Sequence, residues 1–148
     1  MTLTNKELLQ INQALFSVVN AYNNRAVLEQ EENSSALTVS ERGVILILGQ
    51  LAPINLRRLA EVMHLSPGPV SQYVQRLVKK ELVEREQDQS DRRNWWLRLT
   101  DEGKRINAET VEGAAGYTRD FLKVLDEPER QVFHDLLMKV SRDLGYDW

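Results

Sequence analysis

Cysteine is absent from the 148 residues, which excludes disulfide frameworks, thiolate metal sites and thiol-based redox sensing together and is compatible with the cytosol. Histidine is scarce: His64 and His134 stand alone, and two isolated imidazoles without cysteines do not make a metal site. No apolar run approaches the ~20 residues needed to span a bilayer, so no membrane partner is expected. The opening Met1-Thr2-Leu3-Thr4-Asn5-Lys6-Glu7 lacks the basic-then-apolar build of a secretory leader, and a cytoplasmic location is expected. Phosphate loops and dinucleotide fingerprints are missing too. Ser66 or Ser71 beside His64 has neither an acidic orienter nor a glycine elbow. No catalytic residue and no cofactor is expected, and the chain reads as a non-enzyme.

A strong positive charge is also lacking, for the formal net charge is −3. Its distribution is uneven. From Asn55 to Arg105 there are 11 Lys+Arg against 8 Asp+Glu, and the remainder carries 8 against 14. The basic surplus therefore sits in the middle, where a local phosphate-binding face needs it, because counterion release follows local rather than global charge.

The apolar pattern is mostly helical. Leu8, Ile11, Leu15, Val18 and Tyr22 alternate spacings of three and four and predict a long first helix; Glu29 to Ser35 reads as an acidic loop. Thr38 and Glu41 fit a capping box opening a central, nearly all-apolar helix with Val44, Ile45, Ile47, Leu48 and Leu51, stopped at Ala52-Pro53. Asn55 caps a short helix with Leu56, Leu59, Ala60 and Met63, and His64-Leu65 breaks it. Ser66-Pro67, a hydroxyl at the cap and proline in the first turn, restarts a helix through Lys80. Leu82 to Gln87 and Asn94 to Leu99 predict two strands around the turn Asp88-Gln89-Ser90-Asp91, a hairpin. Thr100 and Asp126 then cap two closing helices. In the first of these, Ile106, Thr110, Ala114, Tyr117 and Phe121 share one side. The second carries Phe133, Leu136, Leu137, Val140 and Leu144.

Two short helices joined by a tight turn and followed at once by a hairpin predict a winged helix-turn-helix. In the second short helix Val70, Val74 and Leu77 form the inner face, so Pro69, Gln72, Gln75 and Arg76 point outward. Gln pairs bidentately with adenine and Arg with guanine in the major groove, and Pro69 suits a thymine methyl. Ser66 with the amides near it, Ser71 and Lys79 suit the DNA backbone. Gly68 and Pro69 keep the leading end slim. Between Ser66 and Lys80 there is no Asp or Glu. At the hairpin tip Arg92 and Arg93 suit a narrow minor groove, with Asp91 holding one of them while the other reaches outward; which one is left open. Trp95 and Trp96 should face opposite sides, one in the core and one on the wing surface. Gly113-Ala114-Ala115-Gly116 is read as a bend or a close helix contact, with a ligand cavity as a third option.

Leu59-Ala60, Ser66-Pro67 through Val70-Ser71 and Leu77, Leu82-Val83-Glu84-Arg85, Asp91-Arg92-Arg93 and Leu99-Thr100-Asp101-Glu102-Gly103 together resemble the MarR family of regulators across about residues 38 to 105. The resemblance implies a mostly α fold of about six helices with a small β-hairpin wing. Residues 1–37 would be an N-terminal dimerisation helix, 38–100 the winged helix-turn-helix and 101–148 C-terminal dimerisation helices, the terminal helices intertwining two copies. It also implies a homodimer on a near-palindromic operator of double-stranded DNA, often released by a small, commonly aromatic ligand. The expected function is a sequence-specific transcription regulator of the repressor type. The competing readings are a winged helix serving as a protein-interaction module and an architectural protein that binds DNA without preference. Two departures from the family pattern stand out. Glu81 replaces the usual glycine after the recognition helix, so that helix is expected to end without a left-handed residue, and Trp95-Trp96 replaces a smaller aliphatic pair.

Overall fold

The computed structural model describes residues 2–32 and 37–146, residues 25–32 by their helical backbone alone. The chain divides into two compact units, Met1–Gly43 and Val44–Trp148.

In the first unit α1 spans Asn5–Glu32. A capping box starts it: Thr4 Oγ1 accepts from the Glu7 amide at 3.3 Å, and Glu7 Oε2 accepts from the Thr4 amide at 2.7 Å. The helix runs through Glu29–Glu32, where the sequence pattern suggests a loop. Glutamate and glutamine are good helix formers, so polarity alone does not end a helix; the rest of the expected loop, 33–36, lies outside the described residues. Every described α1 side chain from Asn5 to Asn24 is exposed, the stripe of Leu8, Ile11, Leu15, Val18 and Tyr22 included. The next helix, α2 (Val39–Leu51), begins at the expected box, with Thr38 N donating to Glu41 Oε2 at 3.0 Å and Glu41 N to Thr38 Oγ1 at 3.2 Å.

The second unit holds the core. Val44, Ile45, Ile47 and Leu48 of α2 are buried. They are followed by β1 (Ile54–Asn55), α3 (Leu56–Val62), α4 (Pro67–Lys79), β2 (Val83–Gln87), β3 (Trp95–Leu99), α5 (Asp101–Leu122) and α6 (Glu127–Asp143). The hairpin is thus part of a three-stranded antiparallel sheet in the order β1-β3-β2. Ile54 pairs with Leu97 and Asn55 with Trp96. A two-residue strand carries no periodicity, so the pattern reveals Asn55 only as a cap. It is that as well: its Oδ1 accepts from the Arg58 amide at 2.8 Å. Thr100 caps α5 by accepting from the Gly103 amide at 3.0 Å, and Asp126 with Glu129 forms a capping box for α6. Gly103 permits a close approach: a Cβ there would lie 2.0 Å from the Leu82 carbonyl oxygen. Among its described residues α6 buries none; Val132, Leu136, Leu137, Val140 and Leu144 are each more than half exposed.

The ends of α3 and α4 share one device. After α3, His64 adopts φ +52°, with His64 N bonded to Glu61 O and Leu65 N to Ala60 O. After α4, Glu81 adopts φ +59°, with Glu81 N bonded to Val78 O and Leu82 N to Leu77 O. Both are left-handed helix stops with paired 5→2 and 6→1 bonds. The expectation that α4 ends without a left-handed residue is therefore corrected. The two bonds, together with Thr100 Oγ1 donating to Glu81 O at 2.7 Å, hold the backbone there although Glu81 has a Cβ. Glu81→Gly removes the left-handed penalty and a negative charge beside a helix C-terminus, against glycine's extra chain entropy. A net gain of about 1 kcal/mol in urea unfolding is expected; an unchanged or lower midpoint would contradict this account of the stop.

Candidate nucleic-acid interface

The surface of α4 follows from what it buries. Val70, Val74 and Leu77 are each 0% exposed, at helical spacings of four and three, under the sheet and α3. On the opposite side Ser66, Pro69, Gln72, Gln75, Arg76 and Lys79 are exposed, and Ser71 is half-buried at the edge. Gln75 Nε2 donates to Ser71 Oγ at 3.4 Å. The Arg76 guanidinium lies 5.2 Å from the Tyr73 ring centre, a cation–π arrangement that keeps the charge along the helix flank. Tyr73 was not singled out by the sequence pattern. It falls between the inner and outer stripes, and only the packed helix shows which neighbour it meets.

The leading end differs from expectation. Ser66 occupies the cap position with extended backbone, yet its hydroxyl makes no cap hydrogen bond. Pro67 and Pro69 supply no N–H, so of the first three helical residues only Gly68 carries an amide donor. A Cβ on Gly68 would meet nothing within 4 Å, which leaves this end thin and open. The expected cluster of amides near Ser66 is thus reduced to very few donors.

The wing tip is organised by two carboxylates with separate tasks. Asp88 Oδ1 accepts from Ser90 Oγ at 2.6 Å, Ser90 N at 2.7 Å and Asp91 N at 3.0 Å, while Oδ2 accepts from Trp96 Nε1 at 2.7 Å. The hydrogen bond from the Ser90 hydroxyl, followed by those from the Asp91 amide, the Trp96 indole and the Ser90 amide, holds the Asp88 carboxyl far below the usual carboxylate range. Asp91 Oδ1 accepts from Arg93 N at 3.0 Å and Arg93 Nε at 3.1 Å. Arg93 is therefore the arginine paired with Asp91. The Arg92 carbonyl accepts from Gln87 Nε2 at 2.6 Å, and among the described residues the Arg92 side chain, which is exposed, has no hydrogen bond or ion pair. The sequence pattern marks Asp88 only as a turn former. Its link to Trp96 spans the hairpin and depends on the strand register, which pairs Glu86 with Trp96.

Neither tryptophan is in the core, which corrects the expected split. Trp95 is 46% exposed although it shares a face with buried Leu97 and Leu99, and it borders an open cleft. Trp96, on the other face, is half-buried at the Asp88 clasp. Between α4 and the sheet lies a cleft of about 510 Å³ lined by Asn55, Leu56, Arg57, Pro67, Ser71, Val74, Arg85, Arg93, Asn94, Trp95 and Leu97. Arg85 reaches it because its register partner is Leu97, so both lie on the same face of the sheet.

Because its folded carboxyl is harder to protonate than an unfolded one, Asp88 supports the wing at every pH above the ordinary carboxylate value of about 4. That support is lost only as pH falls well below it. The Trp96 indole N–H resonance should accordingly stay in place from neutrality to about pH 4 and move upfield in stronger acid. Asp88→Asn should move it at neutral pH. A titration midpoint at or above the ordinary value would refute the clasp.

Comparison with known proteins agrees with this geometry. Residues 37–95 match the family model described as the MarR family. The HTH-type transcriptional regulator YsmB of Bacillus subtilis is 30% identical over 112 residues, covering 76% of this chain and 77% of that protein. Streptococcus pneumoniae FabT in complex with DNA superposes with a TM-score of 0.83 at 19% identity, over 93% of this chain and 97% of FabT. The PcaV transcriptional regulator from Streptomyces coelicolor, in complex with its natural ligand, gives 0.73 at 25% identity over 96% and 98%. With a winged helix-turn-helix of this register and a relative of this identity and coverage, the chain belongs to the MarR family.

Proposed function

We propose that this protein is a sequence-specific DNA-binding transcription regulator, a cytoplasmic repressor without enzymatic activity that acts as a homodimer on a pseudo-palindromic operator. The observation that carries the reading is α4: Gln72, Gln75 and Arg76 stand exposed above a fully buried Val70, Val74 and Leu77. In this reading Gln72, Gln75 and Arg76 read base edges and Pro69 meets a thymine methyl. Ser66, Ser71, Lys79, Arg92 and Arg93 hold the backbone or the minor groove, and Asp91 sets the direction of Arg93. The DNA-bound FabT structure supports this partner. The ligand-bound PcaV structure supports release by a small molecule. No helix among the described residues is long and apolar enough to cross a membrane.

The homodimer is supported by the apolar surface that one chain leaves uncovered. Leu8, Leu9, Ile11, Leu15 and Phe16 of α1, and Val132, Leu136, Leu137 and Val140 of α6, are each 46% exposed or more. Such contiguous apolar faces mark association sites. We assign residues 1–37 and 101–148 to that association and 38–100 to DNA. Light scattering should give twice the 17.1 kDa chain mass, and Leu136→Glu with Leu137→Glu should return it to the monomer. A wild-type monomer at micromolar concentration would remove the dimer.

Base reading and backbone positioning are separable by anisotropy titration of selected and random duplexes at two salt concentrations. Gln75→Ala or Arg76→Ala should relax discrimination at particular base pairs, by ~1–3 kcal/mol per lost bidentate contact. Arg92→Ala should weaken all sequences alike and reduce the salt slope by about 1. Equal effects of all three on every sequence would overturn the role assignment. Binding without steep salt dependence would favour a protein-interaction module instead.

A further inference from the structure

The last described residues of the chain reach back to the turn that precedes α4. At the end of α6, Gly145 adopts φ +86°, Gly145 N bonds Arg142 O at 2.9 Å, and Tyr146 N bonds Ser141 O at 3.0 Å. Ser141 Oγ donates to Tyr146 O at 3.2 Å. This left-handed stop folds Tyr146 back, and its ring stacks on His64 with centroids 4.0 Å apart and planes tilted by 36°. His64 Nε2 donates to Gly145 O at 3.3 Å. A Cβ on Gly145 would come within 3.3 Å of His64 Cε1, so the residue that permits the reversal also permits the approach.

We propose that Tyr146 and His64 form a latch that fixes the angle of α4 relative to α6, making Tyr146 a positioning residue for the spacing between operator half-sites. The inference rests on the homodimer reading above. The trailing end of α4 is joined to α5 through Thr100, whose hydroxyl donates to Glu81 O at 2.7 Å and whose amide donates to Leu82 O at 3.1 Å. Burial of Val70, Val74 and Leu77 sets the roll of α4 about its axis, while the attachments at its two ends set its tilt. His64 lies two residues before the Ser66 cap, so the latch grips the other end. The 13 residues of α4 span about 20 Å, and a swing of about 5° about one end moves the other by about 2 Å. In a two-fold dimer both reading heads move, and the combined change is about one base-pair rise, ~3.4 Å. An unlatched protein therefore accepts operators that the latched one rejects.

The test uses the full chain, duplexes selected by the wild type, and the same duplexes with one base pair added or removed between half-sites. Light scattering checks the dimer, and anisotropy gives the affinity ratio between native and altered spacing. Tyr146→Ala should keep the dimer and the base preferences within each half-site while the ratio falls roughly 3- to 10-fold, the scale of one aromatic pair. Tyr146→Phe, which keeps the ring, should retain the ratio. His64→Ala should match Tyr146→Ala, and the double variant should be no worse than either. If Tyr146→Ala keeps the wild-type ratio in a dimer that binds its operator, the latch is overturned and the regulator reading stands. A wild type that is monomeric or binds no duplex removes that reading and the latch with it.

Discussion

The outward surface of α4, proposed to read DNA, depends on the burial of Val70, Val74 and Leu77. Each has no exposed area, and enclosing a side chain of this size contributes roughly 1.5–3 kcal/mol. Rotating α4 about its axis would uncover all three at once. Their position therefore dictates that Gln72, Gln75 and Arg76 look outward. The flanking turns add a second constraint. His64 and Glu81 both occupy left-handed backbone, stopping α3 before α4 and then α4 itself abruptly, so α4 keeps a definite length and direction.

The wing shows how carboxylates can belong to a surface proposed to meet a polyanion. Asp88 is surrounded by donors from Ser90, Asp91 and Trp96, and Asp91 by donors from Arg93 and Asn94. Their lone pairs face the turn itself. What they shape is the base from which Arg92 extends, with Gln87 holding its carbonyl. Negative charge here acts as internal scaffolding for a positive tip.

The terminal helices follow the opposite logic. A helix that fully buries none of its described residues, such as α6, gains little stability from packing within its own chain, and short amphipathic helices draw most of their stability from packing. A second copy supplies that packing in the proposed dimer. Just past this helix Gly145 and Tyr146 meet His64, so the element proposed to join two chains leads directly to the turn ahead of α4.

Much of this was legible from residues alone where the governing interaction is local. Caps at Thr38, Asn55, Thr100 and Asp126 involve partners three residues away. The two faces of α4 follow from a repeat of 3.6 residues, and the family motifs lie along one continuous stretch. Other features belong to tertiary structure because their partners are distant or their signal is too short. β1 exists only through its pairing with Leu97 and Trp96. Trp95 is exposed where it borders the cleft between α4 and the sheet. The left-handed Glu81 is held by Thr100, 19 residues on, and Tyr146 meets His64 from the far end of the chain. Sequence by itself determined which side of α4 would be buried and which would face outward; folding alone decided what holds that helix at its ends, since those contacts join segments that no local pattern connects.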